Sequence, residues 1–154
     1  MRVEPGFCDK IIKLDRSIRF VGLVNNRGEV IEGGFKHGVE PLLNGTDEQQ
    51  MYIHSLSNLS ILQSYSDRLG IVRYSLTEHE KVTLMTFPID EKILCVSTTP
   101  KGDTSKIRDR VLKVLKSKQR GKALDKVRKS TNTSTKQRRQ NLKKGQYNKK
   151  KSTK

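Results

Sequence analysis

The chain has 154 residues and a formal net charge of +16, which is unevenly distributed. Residues 1–115 contain 16 Lys and Arg against 15 Asp and Glu, whereas residues 116–154 contain 16 Lys and Arg against one acid, Asp125. The near-neutral part is long enough for one hydrophobic core, and the basic part has too few apolar residues to offset its backbone entropy. We therefore predict a folded domain over residues 1–116 and a disordered Lys/Arg-rich tail over residues 117–154.

Composition also argues against a membrane or exported protein. No apolar run approaches the ~18 residues that span a bilayer, and residues 1–6 lack the apolar centre of a signal peptide. Cys8 and Cys95 are far apart and show no metal-binding spacing, which fits reduced thiols. We expect a cytoplasmic protein with no membrane insertion and no disulfide.

No catalytic constellation is visible. The sequence has no Walker A loop and no G-x-G-x-x-G, and the adjacent Gly33 and Gly34 indicate backbone geometry rather than a phosphate cradle. His37, His54 and His79 are scattered without metal-ligand spacing, and neither cysteine is paired with a histidine as a nucleophile. We expect no enzyme activity, no cofactor and no metal.

The first predicted elements are a short helix and a β-hairpin. Phe7, Ile11, Ile12 and Leu14 indicate a helix that ends before Asp15. A strand is predicted over residues 18–24, which are rich in β-branched and aromatic residues, and residues 29–35 are predicted as the returning strand of a hairpin. The turn between them, residues 25–28, contains Asn and Gly, which tolerate positive φ. Gly33 and Gly34 predict a bulge or a close backbone approach.

A long helix follows, bounded by Thr46 with Gln49 as a capping box and by Gly70 as the stop. Helical periodicity divides its apolar residues into two sets. Ile53, Ile61 and Tyr65 fall outside the core-facing arc. Met51, Tyr52, Leu56, Leu59, Leu62 and Leu69 fall within that arc.

The last predicted elements are three strands and a helix. The strands cover residues 71–77, 82–87 and 93–98, with Val72, Tyr74 and Leu76 on one face of the first and Pro88 ending the second. Asp103 or Thr104 caps the final helix. Its predicted apolar face is Ile107, Val111, Leu112, Val114 and Leu115. This order fits one antiparallel sheet packed with helices, an α+β architecture.

The same order, with the hairpin over residues 21–31 and the run Lys92-Ile-Leu-Cys-Val96 before the last helix, resembles the Roadblock/dynein light-chain family. The resemblance implies a five-stranded antiparallel sheet of order 2-1-5-4-3 on a profilin-like or longin-like scaffold. The amino-acid sequence of residues 17–35 and 45–52 also resembles an archaeal family of unknown function. This second resemblance implies no activity.

The Roadblock resemblance implies a homodimer and a small Ras-like GTPase as a possible partner. The predicted edge strand, residues 71–77, would then pair with its copy, and the long helices would pack alongside. The dimer interface predicted on this basis is Ile53, Ile61, Tyr65, Ile71 and Arg73.

The tail indicates a polyanionic partner, because its basic clusters are separated by Ser, Thr, Asn and Gln. Such groups bind phosphates independently of base sequence, and Tyr147 alone is too few aromatic residues for stacking as the main mode. We therefore predict nonspecific binding to the backbone of DNA or RNA. The alternative is a regulator or adaptor of a small Ras-like GTPase in which the tail only tunes location, and a tail that is merely charged or solubilising is a further reading. The predicted nucleic-acid-binding residues are Lys116, Lys118, Arg120, Lys122, Lys126, Arg128, Lys129, Lys136, Arg138, Arg139, Lys143, Lys144, Lys149, Lys150 and Lys151.

Overall fold

The structure, a computed structural model, describes residues 5–117. The chain divides into two units, Met1–Val111 and Leu112–Lys154. In the second unit the described residues, 112–117, are helical. The predicted disorder of the tail lies outside the described residues, and the domain boundary at residue 116 stays a prediction.

The elements follow the predicted order, with an additional short helix in the middle of the chain. A final helix, α4, begins at residue 104. The other elements are α1 (Phe7–Ile12), β1 (Ile18–Val24), β2 (Val30–Phe35), α2 (Gly45–Gln63), α3 (Ser66–Leu69), β3 (Ser75–Glu78), β4 (Thr83–Ile89) and β5 (Lys92–Thr98).

The strands form one antiparallel sheet of order β2-β1-β5-β4-β3. This confirms the predicted α+β architecture and the predicted strand order. The central strand β5 is buried along nearly its whole length, as its continuous apolar run indicates. The order leaves β2 and β3 at the two edges of the sheet.

The hairpin of β1 and β2 is stabilised by the side chain of Asn25. Its Oδ1 atom accepts hydrogen bonds from the backbone N–H groups of Arg27 and Glu29, at 2.9 and 3.0 Å. The register shift lies at Leu23 and Val24. Of the two alternatives predicted for Gly33, a bulge or a close backbone approach, the structure shows the close approach. Gly33 has φ +89°, and a Cβ there would lie 2.1 Å from the Val21 carbonyl oxygen.

One face of the sheet packs against α2. The core on this side contains Phe20, Val24, Ile93 and Cys95 from the sheet. The predicted core residues Tyr52 and Leu59 are buried, and Met51 and Leu56 are partly buried against them. Ile53, Ile61 and Tyr65 are exposed, as predicted.

The predictions that Leu62 and Leu69 face the core are wrong, and the long helix is not continuous. Helix α2 ends at Gln63, and the separate turn α3 begins at Ser66. Leu69 lies beyond this break, which changes the direction in which its side chain points, whereas Leu62 precedes the break near the end of α2. Leu62 is 40% exposed and Leu69 is 81% exposed.

The predicted capping box is also wrong. Helix α2 begins at Gly45 and is capped by Asn44, whose Oδ1 accepts a hydrogen bond from the Asp47 N–H at 2.9 Å. The Asn44 amide also donates to the Asp47 carboxylate at 2.8 Å. Asn is among the strongest N-cap residues, so it takes this position ahead of Thr46.

The opposite face of the sheet carries Val21, Leu23, Leu94 and Val96, because side chains alternate along a strand. Helix α1, with Phe7 and Ile11 fully buried, contacts β1 and β2. Asp103 is the N-cap of α4, accepting from the Lys106 N–H. The predicted apolar residues Ile107 and Val111 are fully buried.

Strand β3 is shorter than predicted, since residues 71–74 are not part of the sheet. Val72 packs against the core beside α2, whereas Tyr74 stacks on Phe87 at 6.0 Å. The register places Leu76 opposite Met85, on the same face as Phe87. The prediction that Val72 shares a face with Tyr74 and Leu76 is therefore wrong.

Strand β4 continues through Pro88 to Ile89, which corrects the prediction that Pro88 ends it. The last β4 residue paired with β3 is Thr86. Beyond that residue β4 has a neighbour on one side alone, where a missing proline N–H is tolerated.

Candidate functional site

A groove lies between α2, the loop before it and β4. Its volume is about 550 Å³, within the range of about 300–1,000 Å³ typical of ligand sites. Leu42 and Leu43, both substantially exposed, line the groove from the loop. Met51 lines it from α2 and Leu84 from β4. The groove is thus a concave, mostly apolar surface within residues 1–111.

Three aromatic rings line the groove, and together we name them the aromatic floor: Phe20, Phe35 and Tyr52. The ring centroids of Phe20 and Phe35 are 4.8 Å apart, and those of Phe20 and Tyr52 are 6.1 Å apart. Gly22 permits this arrangement, because a Cβ at that position would lie 2.4 Å from the Phe20 ring. The floor therefore depends on a glycine in the middle of β1.

Glu48 brings a charge into the groove wall. It lies in the first turn of α2 and is partly buried. Burial raises the pKa of the Glu48 carboxyl. Burial, and then the nearby Glu48 charge, raise the pKa of the Tyr52 hydroxyl. The groove therefore combines apolar walls with one partly desolvated carboxylate.

Two basic residues also line the groove. Arg19 donates a hydrogen bond from Nη2 to the backbone carbonyl oxygen of Glu40 at 3.0 Å. Lys81 is exposed in the turn between β3 and β4, beside Glu80. The charged rim thus carries both signs, and the charges lie on different structural elements.

Sequence reasoning missed this groove. The adjacent Leu42 and Leu43, two large apolar residues in a loop, are the local signal that could have found it. The approach of this loop to β1 and α2 is a long-range contact that no local pattern predicts.

The predicted dimer-interface residues are all exposed, and they lie on different elements. Ile53 and Ile61 lie on α2, and Tyr65 is the N-cap of α3. Ile71 is 82% exposed. Ile71 and Arg73 are outside the edge strand, which corrects their predicted position in it. The role of these residues in an interface stays a prediction.

Of the predicted nucleic-acid-binding residues, the structure describes Lys116 alone. It is exposed within the helical segment of the second unit. The remaining fourteen, from Lys118 to Lys151, lie outside the described residues.

The cysteines and histidines considered in the sequence analysis all lie in the described part of the chain. Cys8 and Cys95 are free and buried. His79 lines the groove, whereas His37 and His54 do not. Within residues 5–117, no cluster of His, Cys, Asp and Glu could hold a metal ion, and no helix has the length and apolar character to cross a membrane.

Sequence comparison decides the family. Residues 4–131 match the family described as a family of unknown function, DUF6659. The chain belongs to this family. No curated protein gives a significant match to the sequence. Family membership therefore assigns no activity.

Solved structures with a Roadblock fold are similar to this chain. The Roadblock/LC7 domain from Streptomyces avermitilis is 19% identical, with a TM-score of 0.52 over 71% of this chain and 89% of that one. Gliding protein MglB from Thermus thermophilus is 11% identical, with a TM-score of 0.56 over 70% and 82%. Myxococcus xanthus MglB is 18% identical, with a TM-score of 0.51 over 70% and 84%. These likenesses confirm the Roadblock-like fold.

Proposed function

We propose that this protein is a non-enzymatic, homodimeric binding module of the cytoplasm that holds nucleic acid through its basic C-terminal segment. The observation that carries the proposal is the division of charge. Residues 116–154 contain 16 Lys and Arg and one acid, while the rest of the chain is close to neutral. Such a concentration of cations attracts a polyanion, and free buried thiols fit a reducing compartment.

Binding through phosphates explains the composition of this segment. Each Lys or Arg that neutralises a phosphate releases a condensed counterion, which favours binding regardless of base sequence. Tyr147 is the single aromatic residue among residues 116–154, so base stacking contributes little. The segment therefore binds the backbone of DNA or RNA and reads few bases.

Dimerisation would bring two basic segments together. Once one segment is bound, the second binds at a high effective concentration, which raises the overall affinity. The surface that supports dimerisation consists of the exposed apolar residues of α2 and the unpaired edge of β3. An exposed edge strand needs cover or a partner.

A deletion tests the proposal. Nucleic-acid binding is compared for the full chain and for a chain that lacks residues 118–154, with circular dichroism as the control for folding. We expect the deletion to abolish binding and to leave the fold intact. Binding that persists after the deletion would contradict the proposal.

The second candidate is a regulator or adaptor of a small Ras-like GTPase, favoured by the Roadblock-like fold. In this case the folded domain binds the GTPase, and the basic segment only adjusts where the protein is located. Pulldown and GTP hydrolysis assays with residues 1–117 separate the two candidates. A GTPase contact made by residues 1–117 supports the second candidate, and its absence counts against it.

A further inference from the structure

We propose that the groove binds a short peptide segment of a partner protein that carries a Lys or Arg flanked by apolar side chains. The groove lies wholly within residues 1–111, whereas the nucleic-acid proposal rests on residues 116–154. The inference therefore adds a second binding activity and does not depend on the first.

The size and lining of the groove fit several side chains of a short peptide. A volume of about 550 Å³ accommodates several side chains. Leu42 and Leu43 are 52% and 41% exposed, and both line the groove. Apolar side chains of a bound peptide would remove these two leucines from water, which favours binding.

Glu48 sets the charge of the peptide. A partly buried carboxylate without an opposite charge is costly, and a cation placed beside it offsets that cost. Neither ion pair found within residues 5–117 includes Glu48. The raised pKa of this carboxyl has the same cause, which is burial. The α2 wall of the groove thus offers a Lys or Arg side chain a carboxylate that belongs to neither of these ion pairs.

The two basic residues of the rim, Arg19 and Lys81, have less influence than Glu48 on the charge of the peptide that binds. The Arg19 guanidinium already donates to the Glu40 carbonyl oxygen. Lys81 is exposed to water, and Glu78 and Glu80 belong to the same turn region. Water screens an exposed charge more strongly than a partly buried one. Glu48 is therefore the charge whose interaction with a ligand changes most on binding.

The aromatic floor fits the same ligand. Ring faces attract cations, and they also pack against the aliphatic stem of Lys or Arg. Phe20 and Tyr52 are each 4% exposed, so the half-buried Phe35, which lines the groove together with Glu48, is the ring of the floor most open to a ligand. A carboxylate beside aromatic rings is a suitable environment for a cation on an apolar stem.

Titration calorimetry with the full chain tests the proposal. The probe is an acetylated and amidated peptide, Ala-Leu-Lys-Leu-Ala. Two further peptides carry norleucine or Glu in place of Lys, and n-hexylammonium represents the free cation. The protein variants are Glu48→Gln, which keeps the shape of the side chain, and Glu91→Gln as a control in an exposed turn outside the groove.

We expect the Lys peptide to bind most tightly and Glu48→Gln to weaken it by about tenfold, with no change in Glu91→Gln. The norleucine peptide should bind equally to the wild type and to Glu48→Gln. Tighter binding of the Glu peptide, equal binding of the Lys peptide to Glu48→Gln, or n-hexylammonium binding as tightly as the peptide would each overturn the proposal. Nucleic-acid affinity measured on the same variants should not change, so failure of either proposal is recognised separately.

Discussion

Gly33 lies where the fold has no room for a side chain. A Cβ at this position would lie 2.1 Å from the Val21 carbonyl oxygen and 2.8 Å from the Cys8 Cβ. The backbone of β2 therefore approaches both β1 and α1, and the positive φ of Gly33 suits this approach. The glycine pair predicts a special backbone position from sequence, but its two neighbours are visible in the structure alone.

Replacement of Gly33 by Ala should destabilise the protein by about 1–3 kcal/mol, because the new Cβ forces the strand away from its neighbours and strains the backbone. Urea denaturation measures the change in the free energy of unfolding. Gly45→Ala is the matched control, since a Cβ at Gly45 meets open space. Equal stabilities of the two variants would show that the close approach is absent.

Cys8 makes stability depend on pH in the alkaline range. Its N–H donates to the Glu32 carboxylate at 3.1 Å. Burial, followed by the nearby Glu32 charge, raises the pKa of the thiol from 9.0 to about 12. In the unfolded chain the thiol ionises near its ordinary pKa, so the folded state holds this proton over a wider pH range than the unfolded state.

The stabilising effect of the Cys8 thiol is therefore fully present below about pH 9 and is lost as pH rises towards 12. Between pH 8 and pH 10.5 we expect the wild type to lose about 1–2 kcal/mol more stability than Cys8→Ala, which has no thiol to ionise. Denaturation at both pH values measures this difference. An identical pH dependence of the two proteins would disprove the burial argument for the thiol.

At the scale of elements, sequence predicted strands β1 and β5 better than the long helix. Strand β1 begins and ends at the predicted residues, and β5 differs by one residue at its start. Both strands have continuous apolar runs that their burial on two faces explains. The helical projection failed for Leu69 because it assumed an unbroken helix beyond Gln63, whereas Leu62 is exposed within α2, near its end. Periodicity cannot report where a helix breaks.

The groove illustrates a second limit of the sequence. Glu48 and Tyr52 are one turn apart on α2, so their proximity is local. Phe20 and Phe35 come from two strands, and Leu42 comes from a loop. These residues meet through the sheet register and the path of the loop, which are set by the whole fold. The aromatic residues were visible in the sequence, but their common site was not.

Helix α2 and strand β3 together supply the surface that we expect to form the dimer. Ile61 is 61% exposed on α2. Replacing it with Glu should shift the chain from dimer to monomer, because a buried charge without a partner is costly. Analytical ultracentrifugation measures the change.

Ile31→Glu is the control for this experiment, because Ile31 is also exposed but lies on β2 at the other edge of the sheet. This variant should remain a dimer. A monomeric wild type, or equal dissociation of both variants, would count against an interface formed by α2 and β3.

At the scale of the whole molecule, the chain combines a near-neutral folded domain with a strongly basic segment. The domain contributes a Roadblock-like fold and the groove, and the segment contributes 16 of the 32 Lys and Arg residues. The charge division was visible from sequence alone, since it needs no knowledge of the fold. It assigns the two proposed binding activities to different parts of the chain.

The salt dependence of nucleic-acid binding tests the central claim most directly. Affinity of the full chain for duplex DNA is measured at several salt concentrations, beside the chain that lacks residues 118–154. Roughly eight phosphate contacts predict a slope of about −7 in a plot of log affinity against log salt, and the shortened chain should not bind. An affinity independent of salt, or undiminished binding by the shortened chain, would contradict the account.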